Sequence, residues 1–432
     1  MRTALLAVIF ATLAAAAPTP PPIIFVHGNG DDASKWMTVI WRFESNGYPR
    51  DRLFAARFID PVARTLDDTP LIHRSSTIDQ ASQLSAEVAR VLILTGAPKV
   101  ILVGSSRGGL TIRNYLKNAG GAAVVSHAIL CGAPNHGVMA LDQMTGNEFN
   151  GRGKFLSALN AGVEVVPGVQ FLTIRSDHND KYAQPNGRAA GLPVKETGVT
   201  FEGPTLKGAE DAVLPGLDHR EIAFDARAFA VMYRFITGKD PATVELIPEA
   251  QPIIGGVITS FVEGVPTNSP APGIHLRVFA LRAGSALRDG VAVYDQTTGE
   301  TGVWGPLTVD PTRNYEFELA SGAATVRYFR SPFARSSVYV NLRFRPIPAT
   351  AAASEPTILV MRPQGYLSKG RDPVMIDGKE YDGLPAGVPT VDEFKLKTTG
   401  ESVAISLRGE QVYAQAATAK TGEICIAEFN RE

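Results

Sequence analysis

Residues 99–110 read KVILVGSSRGGL: a short apolar run, Val100 to Val103, then a glycine, two serines, an arginine and two more glycines. The run has the length and branching of a buried strand. Beyond the glycines, Ile112, Tyr115 and Leu116 recur at helical spacing, and Gly120 and Gly121 end the pattern. Strand, turn and helix therefore follow one another within about twenty residues. Gly104, Ser106 and Gly108 form a Gly-x-Ser-x-Gly pattern centred on Ser106, with Ser105 as the spacer. A serine on so sharp a turn sits in a strained backbone. Neighbours without side chains at minus two and plus two let its hydroxyl project into a cleft. The five-residue pattern alone is weak; the strand before it and the helix after it make Ser106 a candidate nucleophile.

Outward from this turn, residues 23–238 alternate apolar runs with helical stripes. Strands are expected at 23–26, 53–58, 100–103, 128–131, 171–174 and 212–214. Trp36, Ile40 and Phe43 mark one helix. Leu84, Val88, Val91 and Leu92 mark another, opened by a capping box at Thr77 and Gln80 and stopped at Gly96. A last helix carries Phe229, Met232, Tyr233 and Ile236 between Asp225 and Gly238. This is the pattern of an α/β domain with a mostly parallel sheet. Past a linker at 247–256 the period becomes two: Tyr315, Phe317 and Leu319 alternate with Glu316 and Glu318, and Val338, Val340, Leu342 and Phe344 alternate likewise. A second linker at 346–356 precedes Val403, Ile405 and Leu407. The expected organisation is a signal peptide over 1–17, a catalytic α/β domain over 18–246, and β-sandwich or barrel domains over 257–346 and 356–432.

The 42 basic and 43 acidic residues leave a formal charge of −1, which offers nothing to a nucleic acid. Residues 1–17 have one arginine, a short apolar run and small residues before Pro18, as in a secretory signal peptide. The chain is thus expected outside the cytoplasm, secreted or periplasmic, with no transmembrane segment. Cys131 and Cys425 each fall in a strand-like apolar run and read as buried thiols, although export would permit a bridge.

A serine hydroxyl needs a base, and the base an orienting acid. Behind a nucleophile turn of this kind the expected order is serine, acid, histidine. His219, in VLPGLDHREI, lies between the last strand and the last helix, where the base belongs. His136 and His178 come too early for an acid loop before them, His127 opens a strand, and His275 falls in the β region. The acid should follow the strand 171–174, in RSDHNDKYAQP, where Asp180 is the choice because a few residues of loop bring a carboxylate back over the sheet edge; Asp177 is the alternative, and Asp211 and Asp218 are more distant ones. An oxyanion hole would use the backbone N–H groups of Arg107 and of Asn29, which follows the strand in IIFVHGNGDD. His27 reads as a brace for that loop. No cofactor and no metal site are expected: His136, His178, Asp177 and His219 lack helix-borne ligand spacing.

Together VHGNG, VGSSRGG, CGAPNHG (131–137), TIRSDHNDKYAQP (173–185) and GLDHREI (216–222) resemble secreted bacterial and archaeal lipases and esterases of the α/β-hydrolase superfamily. The following β segments, with WRFESNGYPRDRLFAARF, make the chain similar to lipases with C-terminal β domains, the Archaeoglobus lipase type. The resemblance implies a serine carboxylic ester hydrolase with Ser106, His219 and an aspartate of the 177–180 loop as triad, acting on an ester, lipid or lipid aggregate. Where many members have histidine before the nucleophile this chain has Ser105, and Cys131 stands where the Archaeoglobus type carries its acid. A polyester depolymerase, a polysaccharide deacetylase and a catalytically silent binding protein are the alternatives. The insertion between Gly137 and Val166 reads as a lid or cleft wall, with Phe149, Phe155 and Leu156 as acyl contacts.

Overall fold

The computed structural model describes residues 19–192, 194–345, 355–417 and 422–431. The signal-peptide stretch and most of the second linker lie outside them.

The first half is built on six strands: β1 (Ile23–Val26), β2 (Leu53–Ala55), β3 (Val100–Ser105), β4 (Val125–Cys131), β5 (Gln170–Arg175) and β6 (Glu210–Val213). Their order is β2-β1-β3-β4-β5-β6 and every pairing is parallel. Crossovers cover both faces with helices, so the central strands are apolar throughout rather than alternating. The helices are α1 (Met37–Ser45), α2 (Thr77–Thr95), α3 (Arg107–Asn118), α4 (Lys154–Asn160), α5 (Glu221–Phe224) and α6 (Ala226–Thr237). One core layer joins α1 and α6 to the sheet through Trp36, Phe43, Phe224 and Phe229; the opposite layer joins α2 and α3 through Leu84, Val88, Ile112 and Leu116. The capping box of α2 is formed by Ser76 and Asp79, each side chain bonding the other's N–H. That corrects the expected Thr77 and Gln80 by one residue. Gln80 turns inward instead, accepting from the Thr111 hydroxyl at 2.7 Å.

The second half comprises β7 (Ile253–Val262), β8 (Val265–Pro270), β9 (His275–Ala280), β10 (Tyr294–Thr297), β11 (Val303–Thr308), β12 (Tyr315–Ser321), β13 (Ala324–Arg330) and β14 (Leu342–Phe344). It continues with β15 (Thr357–Met361), β16 (Met375–Ile376), β17 (Lys379–Glu380), β18 (Glu393–Lys397), β19 (Val403–Leu407), β20 (Glu410–Ala414) and β21 (Glu423–Glu428). A seven-stranded sheet of order β10-β9-β12-β13-β21-β15-β18 runs through both segments. One of its faces packs on β7 and β11 through Ile254, Ile258, Val278 and Phe317. The other packs on β19 and β20 through Phe329, Val360, Ile405 and Val412. The end of the expected first linker, Ile253 to Gly256, is already β7.

In β12 the alternation holds but not its meaning. Glu316 and Glu318 are buried along with Tyr315, Phe317 and Leu319. Their carboxylates are matched by Arg288 and Arg327 on Glu316 and by Arg277 and Arg288 on Glu318. The polar positions of this strand thus face a layer of ion pairs instead of water.

The halves are joined by α1, which points Val39, Ile40 and Phe43 into the α/β core and Met37 and Trp41 into the β core. The Trp41 indole N–H donates to the Ser336 carbonyl at 2.9 Å. Cys131 and Cys425 are separate buried thiols. Among the described residues no helix is long and apolar enough to cross a membrane.

Candidate active site

Strand β3 ends at Ser105 and α3 begins at Arg107, so the change of direction falls on Ser106. Its φ of 53° and ψ of −120° lie where a residue with a side chain is strained. The surrounding glycines explain how the chain tolerates it. A Cβ on Gly104 would lie 2.7 Å from the backbone of Gly108 and Gly109, and one on Gly108 only 2.4 Å from the Val26 carbonyl oxygen. Helix α3 therefore packs backbone against backbone on the sheet, and its N-terminal partial positive charge lies beside the serine.

His219 stands in the loop between β6 and α5. Its Nδ1 lies 2.8 Å from Asp180 Oδ1, and both side chains are buried. Asp180 follows β5, and its Oδ1 also accepts the Tyr182 N–H at 2.9 Å. With Nδ1–H directed at the carboxylate, Nε2 is left as the ring's acceptor. That nitrogen is buried and, among the described residues, has no hydrogen-bond partner. The imidazole is held on two sides. Tyr182 meets its face edge-on with ring centroids 4.6 Å apart, and a Cβ on Gly132 would lie 3.5 Å from its Cε1.

Asp177 has other work. Its carboxylate accepts the N–H groups of Asn179 and Gly216, each at 3.1 Å, and lies 3.7 Å from His178 rather than against His219. Burial works to raise its pKa, but these N–H groups hold it below the usual carboxylate range. Asp211 pairs with Arg175 at 2.8 Å, and Asp218 turns away toward arginines of the C-terminal segment.

Asn29, Ser106, Phe149, Tyr182, His219 and Tyr366 line one cleft of about 240 Å³. At its floor a Cβ on Gly28 would lie 3.3 Å from Ser106 Cβ, so the β1 loop runs alongside the serine and brings the Asn29 backbone to the cleft. The Asn29 side chain looks away, accepting the Ala63 N–H at 2.7 Å. Arg107, the first residue of α3, carries one of that helix's unpaired N–H groups. Its guanidinium is buried and ties together two connections, the one between β2 and α2 and the one between β4 and α4. It bonds Glu148 at 2.5 and 2.7 Å, the Pro61 carbonyl at 3.1 Å, and the Ser75 carbonyl and hydroxyl at 2.9 Å each. His27 is buried with Nε2 accepting the Phe58 N–H at 3.3 Å and Nδ1 3.0 Å from the Gly28 carbonyl. Burial holds its pKa below the ordinary histidine value.

The other histidines serve elsewhere: His136 pairs with Glu164 and His275 with Asp295. Of the three expected acyl contacts only Phe149 lines the cleft; Phe155 and Leu156 pack with Leu110 and Leu159 beneath it. Tyr182 and Tyr366 are among the lining residues that escaped the sequence reading. Tyr182 lies within the loop already singled out, two positions past Asp180. Tyr366 arrives from the loop after β15, with no local signal to announce it.

Residues 20–141 match the family described as Lipase (class 2), and residues 253–347 match the Lipase C-terminal domain. Among solved structures, lipase B of Aspergillus fumigatus overlaps 55% of this chain at 15% identity and a TM-score of 0.39, and this chain spans about half of it, 56%. The mature form of Bacillus licheniformis lipase BlEst2 overlaps 52% of this chain and 96% of its own, at 19% identity and a TM-score of 0.38. Its propeptide form overlaps 94% of both chains at 15% identity and a TM-score of 0.39. None of these overlaps reaches a TM-score of 0.5.

Proposed function

We infer, for a chain that belongs to the lipase and esterase family of α/β-hydrolases and carries C-terminal β domains, that it is a serine carboxylic ester hydrolase working through an acyl-enzyme. Ser106 Oγ attacks the acyl carbonyl while His219 Nε2 takes its proton. Asp180 holds the ring in the Nδ1–H tautomer and stabilises the imidazolium that forms. The N–H groups of Asn29 and Arg107 receive the negative charge on the tetrahedral oxygen. Collapse expels the alcohol, protonated by His219, and water activated by the same imidazole releases the acid.

The observation that carries this reading is the buried Asp180–His219 contact in the same cleft as a serine held at a strained turn. A fluorophosphonate probe tests it: the wild type should be labelled and Ser106→Ala should not, whereas equal labelling of both would overturn it. The substrate is an acyl ester, and the likeness to class 2 lipases favours a lipid. A series of p-nitrophenyl esters from acetate to palmitate, soluble and emulsified, separates esterase from lipase. Residues 1–17 act as a secretory signal peptide, and the motifs around Ser106, Asp180 and His219 are similar to those of the Archaeoglobus lipase type. A mature N-terminus at residue 17 or 18 of the secreted protein tests the signal peptide.

A further inference from the structure

The loop carrying His219 is bracketed by two buried carboxylates, Asp218 and Glu221. They cap one another. Asp218 Oδ1 accepts the Glu221 N–H at 3.0 Å and Glu221 Oε2 accepts the Asp218 N–H at 2.9 Å, which ties the backbone on either side of the histidine. Their remaining oxygens look out of the α/β half, and their charge partners all come from the C-terminal segment. Arg362 lies 2.7 Å from Glu221 and 3.5 Å from Asp218; Arg371 contacts both; Arg408 lies 2.8 Å from Glu221. Asp372 completes the group, accepting from Arg371 and Arg408. Three guanidinium groups thus balance three carboxylates. Arg362 is 1% exposed, and a Cβ on Gly365 would come within 2.4 Å of its guanidinium carbon, so the loop following β15 is shaped around it. The Tyr366 N–H then donates to Asp218 at 2.7 Å, and the Tyr366 ring lines the catalytic cleft.

We propose that Arg362, Arg371 and Arg408 are positioning residues for catalysis: by holding Asp218 and Glu221 they fix the backbone from which His219 projects toward Ser106. The inference rests on the triad reading given above. A buried ion-pair cluster adds little net stability, since desolvation offsets its attraction, and its contribution is to specify one arrangement. A general base acts within about 3 Å of its proton, and a misplacement of about 1 Å is enough to slow a reaction by roughly 100-fold.

The test uses the full chain, with p-nitrophenyl butyrate as substrate and a fluorophosphonate probe for the rate of serine labelling. Arg362→Met should lower kcat by about 100-fold with KM within about threefold of wild type, and slow labelling in parallel, in a protein whose near-ultraviolet circular dichroism remains native. Arg362→Lys keeps the charge but loses the planar fork and should recover only part of that loss. A folded Arg362→Met with kcat within twofold of wild type overturns the proposal. If that variant does not fold, Arg408→Gln at the cluster's rim serves instead. It should lose about tenfold in kcat at unchanged KM, and wild-type kcat there overturns the proposal equally. His219→Ala separates the two levels. Labelling of His219→Ala at the wild-type rate removes the triad reading itself; loss of labelling there, with wild-type rates in the arginine variants, removes only the positioning role.

Discussion

At the scale of single residues, two aspartates three positions apart have different surroundings, and the difference can be measured. Asp180 meets the imidazole, while Asp177 ties its own loop to Gly216. Asp180→Asn should therefore lower kcat on the order of 10⁴-fold with little change in KM, as expected when the base loses its correct tautomer. Asp177→Asn should keep kcat within about tenfold and lower the melting temperature, because it weakens a loop brace. Steady-state kinetics of the two variants side by side decide between them; the reverse ranking would make Asp177 the acid. Loop length after the preceding strand favours Asp180 over Asp177 only weakly, because which carboxylate turns inward depends on Tyr182 N–H and Gly216 N–H, and neither leaves a mark in a pattern of residue types. Arg107 teaches the same lesson. Its amide followed from the turn, whereas its buried bond to Glu148 reaches across an insertion with no period to read.

At the scale of elements, the strand–turn–helix at 99–118 was legible because local rules agree there: an apolar run, glycines at a turn, and a helical stripe. Gly108 carries the tightest constraint. Adding a Cβ beside the Val26 carbonyl should destabilise the protein by about 3 kcal/mol, since neither β1 nor α3 can retreat without opening the core. Urea denaturation of Gly108→Ala checks this; a loss below about 0.5 kcal/mol would mean the helix can shift. In β12 the period-two pattern gave the strand but implied solvent beside Glu316 and Glu318. Arginines from β9, β13 and the loop after β9 cover that face, and partners on other strands are invisible to a pattern read along one. The α2 capping box slipped by one residue because Ser76 and Thr77 are both good caps.

At the scale of the molecule, α1 inserts into two cores and the arginine cluster crosses between the same two halves. Heating should accordingly give one cooperative calorimetric transition. Two resolved transitions would show that the halves melt independently. Asp32 reports on the same interface. Burial works to raise its pKa, but Arg343 and hydrogen bonds from Ser34 and Asn341 hold it at about 2. A carboxyl depressed on folding contributes stability above its unfolded pKa and loses it as the pH falls through the folded value; from about 4 to about 2 this amounts to about 2 kcal/mol. Asp32→Asn should thus lie about 2 kcal/mol below wild type at pH 7, and the gap should close between pH 4 and pH 2 in urea titrations. A gap independent of pH would place the effect elsewhere.

The seven-stranded sheet has a further consequence for how the protein is made. Strand β21 lies between β13 and β15, pairing in parallel with each, though it follows β13 by almost a hundred residues of chain. The centre of the sheet stays open until residue 428 has left the ribosome. A nascent or prematurely released chain exposes two adjoining unpaired edges, an invitation to pair with another copy. Synthesis rate and chaperone supply should therefore govern the yield of soluble protein more than the stability of the finished fold.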